Sequence, residues 1–116
     1  AQSIQKSQKS FLRKEGTKLK TRTVREARKI GKKSGKYLKS IKRGKVYTYD
    51  GALAIRTYSA APHAHLIENG HRMVTHDGQE VGFVRGYHVF ENAGKDFEPQ
   101  YQRDVEDFLD EEVEQL

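Results

Sequence analysis

VYTYDGALAIRTYS, residues 46–59, consists of two β-rich runs set around Asp50-Gly51. Asp-Gly favours the positive-φ backbone of a two-residue type I′ turn, so the stretch is expected to fold back on itself as an antiparallel hairpin. In the second run Leu53, Ile55 and Thr57 share one face, while Ala54, Arg56 and Tyr58 share the other.

Upstream, residues 2–30 contain no proline and a single glycine, Gly16. Ile4, Phe11, Leu12, Leu19, Ala27 and Ile30 fall roughly on one helical stripe, with basic residues on the rest of the circumference. The spacing predicts a long, narrow-faced helix, interrupted or weakened at Gly16 at a cost of about 1 kcal/mol relative to alanine. So thin a stripe does not hold a lone helix in water, and it must lie on a sheet or on another subunit. Three glycines then break the pattern over residues 31–45.

Downstream comes APHAHLIENGH, residues 61–71. Pro62 can open a helix and Asn69-Gly70 can close one, which predicts a short helix over about 62–68. Strands are expected around Arg72–Thr75 and Glu80–Phe90, joined by the polar loop His76-Asp77-Gly78-Gln79. Phe90, Ala93, Phe97, Tyr101, Val105, Phe108, Leu109, Val113 and Leu116 recur mostly at spacings of three and four, the mark of a second amphipathic helix. Pro99 interrupts it, so a kink or restart is expected there. Asp104, Glu106, Asp107, Asp110 and Glu111 should form its acidic outer face. The expected fold is therefore α+β: a long N-terminal helix, an antiparallel sheet of about four strands with a short inserted helix, and a C-terminal amphipathic helix. Residues 1–30 form a basic helix or arm, and 31–116 the α+β part of one domain.

At 116 residues, of which 34% are hydrophobic and 33% charged, the core will be thin. Some of the order is expected to come from neighbouring subunits, because fixing each residue's backbone costs about 1–2 kcal/mol that burial must offset. No apolar run approaches the roughly 20 residues of a membrane span, and residues 1–20 lack the apolar centre of a signal peptide. A soluble protein made inside the cell, with no membrane contact, is expected. The first residue is alanine rather than methionine, which suggests a processed or trimmed piece of a longer product.

The net charge of +6 conceals a split. Residues 1–50 carry 17 Lys or Arg against three acids, and residues 51–116 carry 5 against 13. Such asymmetry suggests a basic arm for an acidic partner, and an acidic end that could meet the basic end of a neighbouring subunit. The candidate contacts to DNA or to an acidic partner are Lys18, Lys20, Arg22, Arg25, Arg28, Lys29, Lys32 and Lys33. Tyr37, Tyr47, Tyr49 and Tyr58 could add stacking.

The absence of cysteine excludes disulfides, thiolate metal sites and a cysteine nucleophile. His63, His65, Glu68 and His71 look like a metal or acid/base cluster, but neither helical nor strand geometry brings all four to one point. At about 100° per residue only His65 and Glu68 share a helical face. GKKSGK, residues 31–36, has three residues between its glycines where a phosphate loop has four, and Tyr37 follows its last lysine. Ser34, Ser40 and Ser59 sit in no nucleophile elbow. No enzymatic activity, cofactor or metal is expected.

Three segments in order carry a resemblance. SGKYLKSI (Ser34, Gly35, Leu38, Ser40, Ile41) resembles a T/S-G-x-L-x-x-S-I motif with one residue added before the leucine. APHAHLIENGH (Pro62, His65, Leu66, Glu68, Gly70) resembles AP-x-A-H-L-x-E-x-G, and GYHVFENA (Gly86, His88, Phe90, Ala93) resembles G-x-H-x-F/L-x-x-A. Together they are similar to the tail-completion, or head–tail connector, proteins of bacteriophages with long non-contractile tails. The resemblance covers roughly residues 30–115. It implies a structural virion protein of the phage neck: a ring, six-fold in the family, joining the head connector or stopper to the tail tube or tail terminator, with DNA passing through the channel. The location implied is the head–tail joint of the virion, reached from the host cytoplasm during assembly. It also implies that the histidine-bearing segment is a structural signature rather than a catalytic one. The alternatives are a nucleic-acid-binding protein using the basic N-terminal helix, and a tail terminator or minor head protein of similar fold.

Overall fold

The structure is a computed structural model that describes residues 2–30, 35–62, 64–74, 78 and 80–115. The element order is α1 (Gln2–Arg28), α2 (Gly35–Ser40), β1 (Ile41–Arg43), β2 (Tyr47–Tyr49), β3 (Ala52–Ala54), β4 (Thr57–Ser59), α3 (Ala64–Asn69), β5 (Gly70–Val74), β6 (Glu80–Arg85) and α4 (Val89–Glu114). The chain is α+β, as its patterning predicts. The strands, however, form three separate antiparallel pairs, β1–β4, β2–β3 and β5–β6, in place of one sheet of about four.

The hairpin at 46–59 is present and longer than expected. Asp50 (φ 51°) and Gly51 (φ 80°) both take the left-handed conformation that a type I′ turn demands. Tyr47 pairs with Ala54 and Tyr49 with Ala52. The same two arms continue as β1 and β4, with Ile41 opposite Ser59 and Arg43 opposite Thr57. Between the two ladders the first arm has three residues, 44–46, and the second only two, 55–56. That extra residue interrupts the ladder as a bulge does, and the Gly44 N–H bonds to the Arg56 carbonyl (2.8 Å) across the break. Residues 41–43 belong to this arm although glycines surround them in the sequence.

Helix α1 runs unbroken through Gly16, contrary to the expected interruption. Gly16 is buried. A Cβ there would lie 2.9 Å from Ile55 Cδ1 and 3.0 Å from Arg43 Cγ, so the glycine is where the hairpin closes on the helix. Thr17, Thr21 and Thr23 return hydroxyl hydrogen bonds to the carbonyls four residues earlier, so their hydroxyls find acceptors within the helix. Helix α4 likewise continues through Pro99 as one element, with no restart. Pro99 is exposed and removes only its own N–H from the ladder. The expected strand at 80–90 stops at Arg85, and Val89 and Phe90 already belong to α4. The short helix begins at Ala64, with Pro62 in the preceding turn, and Gly70 is the first residue of β5 rather than a left-handed helix cap. Of the expected loop 76–79 only Gly78 is described, at φ 85°.

α1 and α4 pack antiparallel: Phe11 stacks on Phe108 (ring centroids 4.5 Å apart), and Arg22 meets Asp96. Near the other ends of these two helices, Ala27, Tyr37, Ile41 and Val89 form the main core cluster, packed by Val24, Ile30, Leu38, Ile67 and Phe90. The molecule measures 66 × 26 × 21 Å, a helical rod with a small core at one end. No described helix is long and apolar enough to cross a membrane.

Candidate functional site

The three motif segments meet at that core. From the first, Ile41 is 1% exposed, and the Ser40 hydroxyl lies 2.6 Å from that of Ser59 while donating to the Tyr37 carbonyl. Ser59 Oγ also accepts from the Ala61 N–H, which carries the hairpin into the second segment. In that segment the Glu68 carboxylate accepts the N–H of Phe90 (2.9 Å) on one oxygen and of Glu91 (3.0 Å) on the other. The carbonyls of Ile67 and Glu68 take the N–H groups of Tyr87 and His88. Residue His88, at the N-cap of α4, is left-handed (φ 51°, ψ 45°) and makes no side-chain cap. Glu68 does the capping from another element, and its negative charge suits the positive end of the helix.

The remaining signature positions sort by packing. Leu38, Leu66 and Gly86 are half-buried, and Ala93 is fully buried against the core side of α4. Gly35 opens α2 with open space where a side chain would be, and Pro62 is exposed. Ser34 and His63 lie outside the described residues. His65 is exposed, and the His88 Nδ1 lies 3.2 Å from the Glu91 carboxylate. Among the described residues no three His, Asp or Glu side chains gather as metal ligands.

The basic helix is not a free arm. Lys18 bridges Glu15 (3.1 Å) and Asp104 (2.8 Å). Arg22 donates to Asp96 and Gln100 and lies 5.5 Å from the Phe97 ring centroid. Lys29 pairs with Glu26 within the same helix. Asp104 is therefore turned toward α1 rather than lying on the acidic outer face of α4. Opposite charges that the sequence suggests for two neighbouring subunits are in part satisfied inside one. Of the expected contact set, Arg25 and Arg28 are exposed, Lys20 is half-buried, and Lys32 and Lys33 fall outside the described residues. Tyr37, a candidate for stacking, is buried in the core; desolvation, with the charge of Glu68 second, pushes its phenol up to about 12.

Glu15 is 3% exposed, and its Oε1 has no hydrogen-bond partner among the described residues. Burial, then the neighbouring Asp104, raises its affinity for a proton. Lys18 holds Asp104 in the opposite direction, below the ordinary carboxylate value. This linked trio fastens the middle of the α1–α4 pair.

The structure also assembles a basic face that the sequence disperses. Lys9 and Arg13 of α1 line a groove with Arg43, Lys45 and Val46. Lys45 continues into a second groove with Gly44, Tyr47, Arg56 and Tyr58, where the Arg56 guanidinium lies 4.9 Å from the Tyr58 ring centroid. The basic positions are up to 47 residues apart in the chain, from Lys9 to Arg56, so no local run announces them. Comparisons of the chain with protein-family models, with curated proteins and with solved structures found no match.

Proposed function

We propose that this protein is a structural ring subunit of a phage neck, joining the head connector to the tail tube. The observation that carries the reading is the junction at Glu68. Three segments resembling the tail-completion signature are tied together by hydroxyl, carboxylate and backbone bonds, and the histidine-bearing segment serves as scaffolding for the start of α4. Of the four residues that looked like an acid/base cluster in the sequence, Glu68 is one that builds this joint.

The thin core supports an assembled state. Among the residues whose side-chain burial is described, six hydrophobic ones are buried, while Tyr49 (71% exposed), Val113 (66%) and Leu109 (54%) face outward. An apolar groove between α1, β3 and α4, lined by Leu12, Leu19, Leu53, Ile55, Phe97 and Tyr101, is suited to cover by a neighbouring copy. Closed rings need two different complementary patches per subunit, and this groove is one of them.

Analytical ultracentrifugation with negative-stain imaging tests the reading. Purified chain, alone or with tail tubes, forms rings of about six copies, and the rings cap tubes at one end. A strict monomer that never associates with tubes or connectors overturns it. A ring located elsewhere in the particle favours the tail-terminator or minor-head alternative.

A further inference from the structure

We propose that the face formed by Lys9, Arg13, Arg43, Lys45 and Arg56 binds the phosphodiester backbone of nucleic acid. It is a different surface from the helical stripe that composition singles out. At about 100° per residue, Lys9 and Arg13 lie on the opposite side of α1 from Lys18 and Arg22. The latter pair is occupied by Glu15, Asp104 and Asp96, whereas none of the five proposed residues takes part in an ion pair among the described residues. Five cations converge on two adjoining grooves that share Lys45. Their repulsion is unrelieved by local acids, and an external polyanion relieves it.

The setting selects among polyanions. Three of the five sit on the paired arms of the hairpin or in the break between them, so the charges are held in place rather than carried on a loose tail. Tyr58 supports the Arg56 guanidinium from one side, leaving its N–H edge for an acceptor. Tyr47, 42% exposed, borders the same groove and offers a ring to a sugar or base. A row of arginine and lysine with tyrosine at its edge matches phosphate groups spaced along a sugar chain better than clustered carboxylates on an acidic protein. The proposal holds whether or not the protein is a neck component.

Fluorescence anisotropy of a labelled DNA duplex, titrated with the full chain between about 50 and about 200 mM salt, provides the test. The variant R13Q/K45Q/R56Q removes three charges from the face; R25Q/R28Q/K39Q removes three exposed charges elsewhere, with thermal melts confirming that both fold. The expected result is that the first variant binds about tenfold or more weakly and shows a log–log salt slope smaller by about 3, while the second stays near wild type. Equal weakening by both variants overturns the assignment in favour of net charge alone. So does an absence of binding at the lowest salt, or displacement of the duplex by polyglutamate of matched charge as readily as by unlabelled DNA. Ring formation, followed by ultracentrifugation of the same samples, bears on the neck reading and leaves this one unaffected.

Discussion

Glu68 accepts the backbone N–H of Phe90 at 2.9 Å, reaching from the end of a six-residue helix to the first turn of a 26-residue one. A carboxylate from outside α4 therefore does what an N-cap side chain ordinarily does.

Replacing Glu68 by alanine leaves two helix-start N–H groups without their acceptors and is expected to cost about 1–2 kcal/mol. His65→Ala, at an exposed position in the same segment, should change stability little. Denaturant midpoints of the two variants decide between scaffold and histidine-centred roles. Equal losses would argue against Glu68 as the organising residue.

Gly16→Val drives two methyl groups into space held by Ile55 and Arg43 and should destabilise by about 1–3 kcal/mol. Gly16→Ala meets the far end of the Ile55 side chain but gains about 1 kcal/mol of helix propensity, so the two effects nearly cancel. Thermal melts of the pair test the close approach. A valine as well tolerated as alanine would mean the hairpin does not press on α1 there.

Arg22→Lys keeps the charge but loses the forked contact with Asp96 and Gln100 and the stacking over Phe97. A loss of about 1 kcal/mol is expected. Asp96 is 58% exposed, so most of that loss comes from geometry rather than charge, and Asp96→Asn should cost less. A double-mutant cycle on Arg22 and Asp96 measures the split.

Glu15 binds its proton more tightly in the folded chain than its ordinary value of 4.5, first because it is buried and second because Asp104 is near. Its stabilising contribution is present below 4.5 and is lost as pH rises through the raised value. Asp104, held below 3.8 chiefly by Lys18, contributes in the other sense, and that contribution is lost as pH falls below 3.8. Glu15→Gln keeps the shape and removes the titration, so its stability relative to wild type should increase from about pH 4.5 to about pH 7. Urea midpoints at the two pH values show this, since the histidines common to both chains cancel. A flat or declining difference contradicts the assignment.

Local grammar was enough for several elements. Asp50-Gly51 specified a turn because few other dipeptides tolerate two successive positive φ angles. Three-and-four spacing gave both long helices. The same grammar allowed for an interruption at Gly16 and a restart at Pro99, and neither occurs, because helix propensity is a weak local term that packing overrides. It also placed Asp104 on a solvated face, since nothing near it in the chain signals Lys18, 86 residues away.

Residues 46–59, the two amphipathic periods and the division of charge determined, without any coordinates, that this chain is α+β with one basic and one acidic helix. Tertiary structure alone decided which charges those helices spend on each other, that Glu68 caps a helix not its own, and that Lys9, Arg13, Arg43, Lys45 and Arg56 share a face. The reason is range: turn preference and helical period act over a few residues, whereas ion pairs, caps and patches depend on distances that exist only after distant segments have packed.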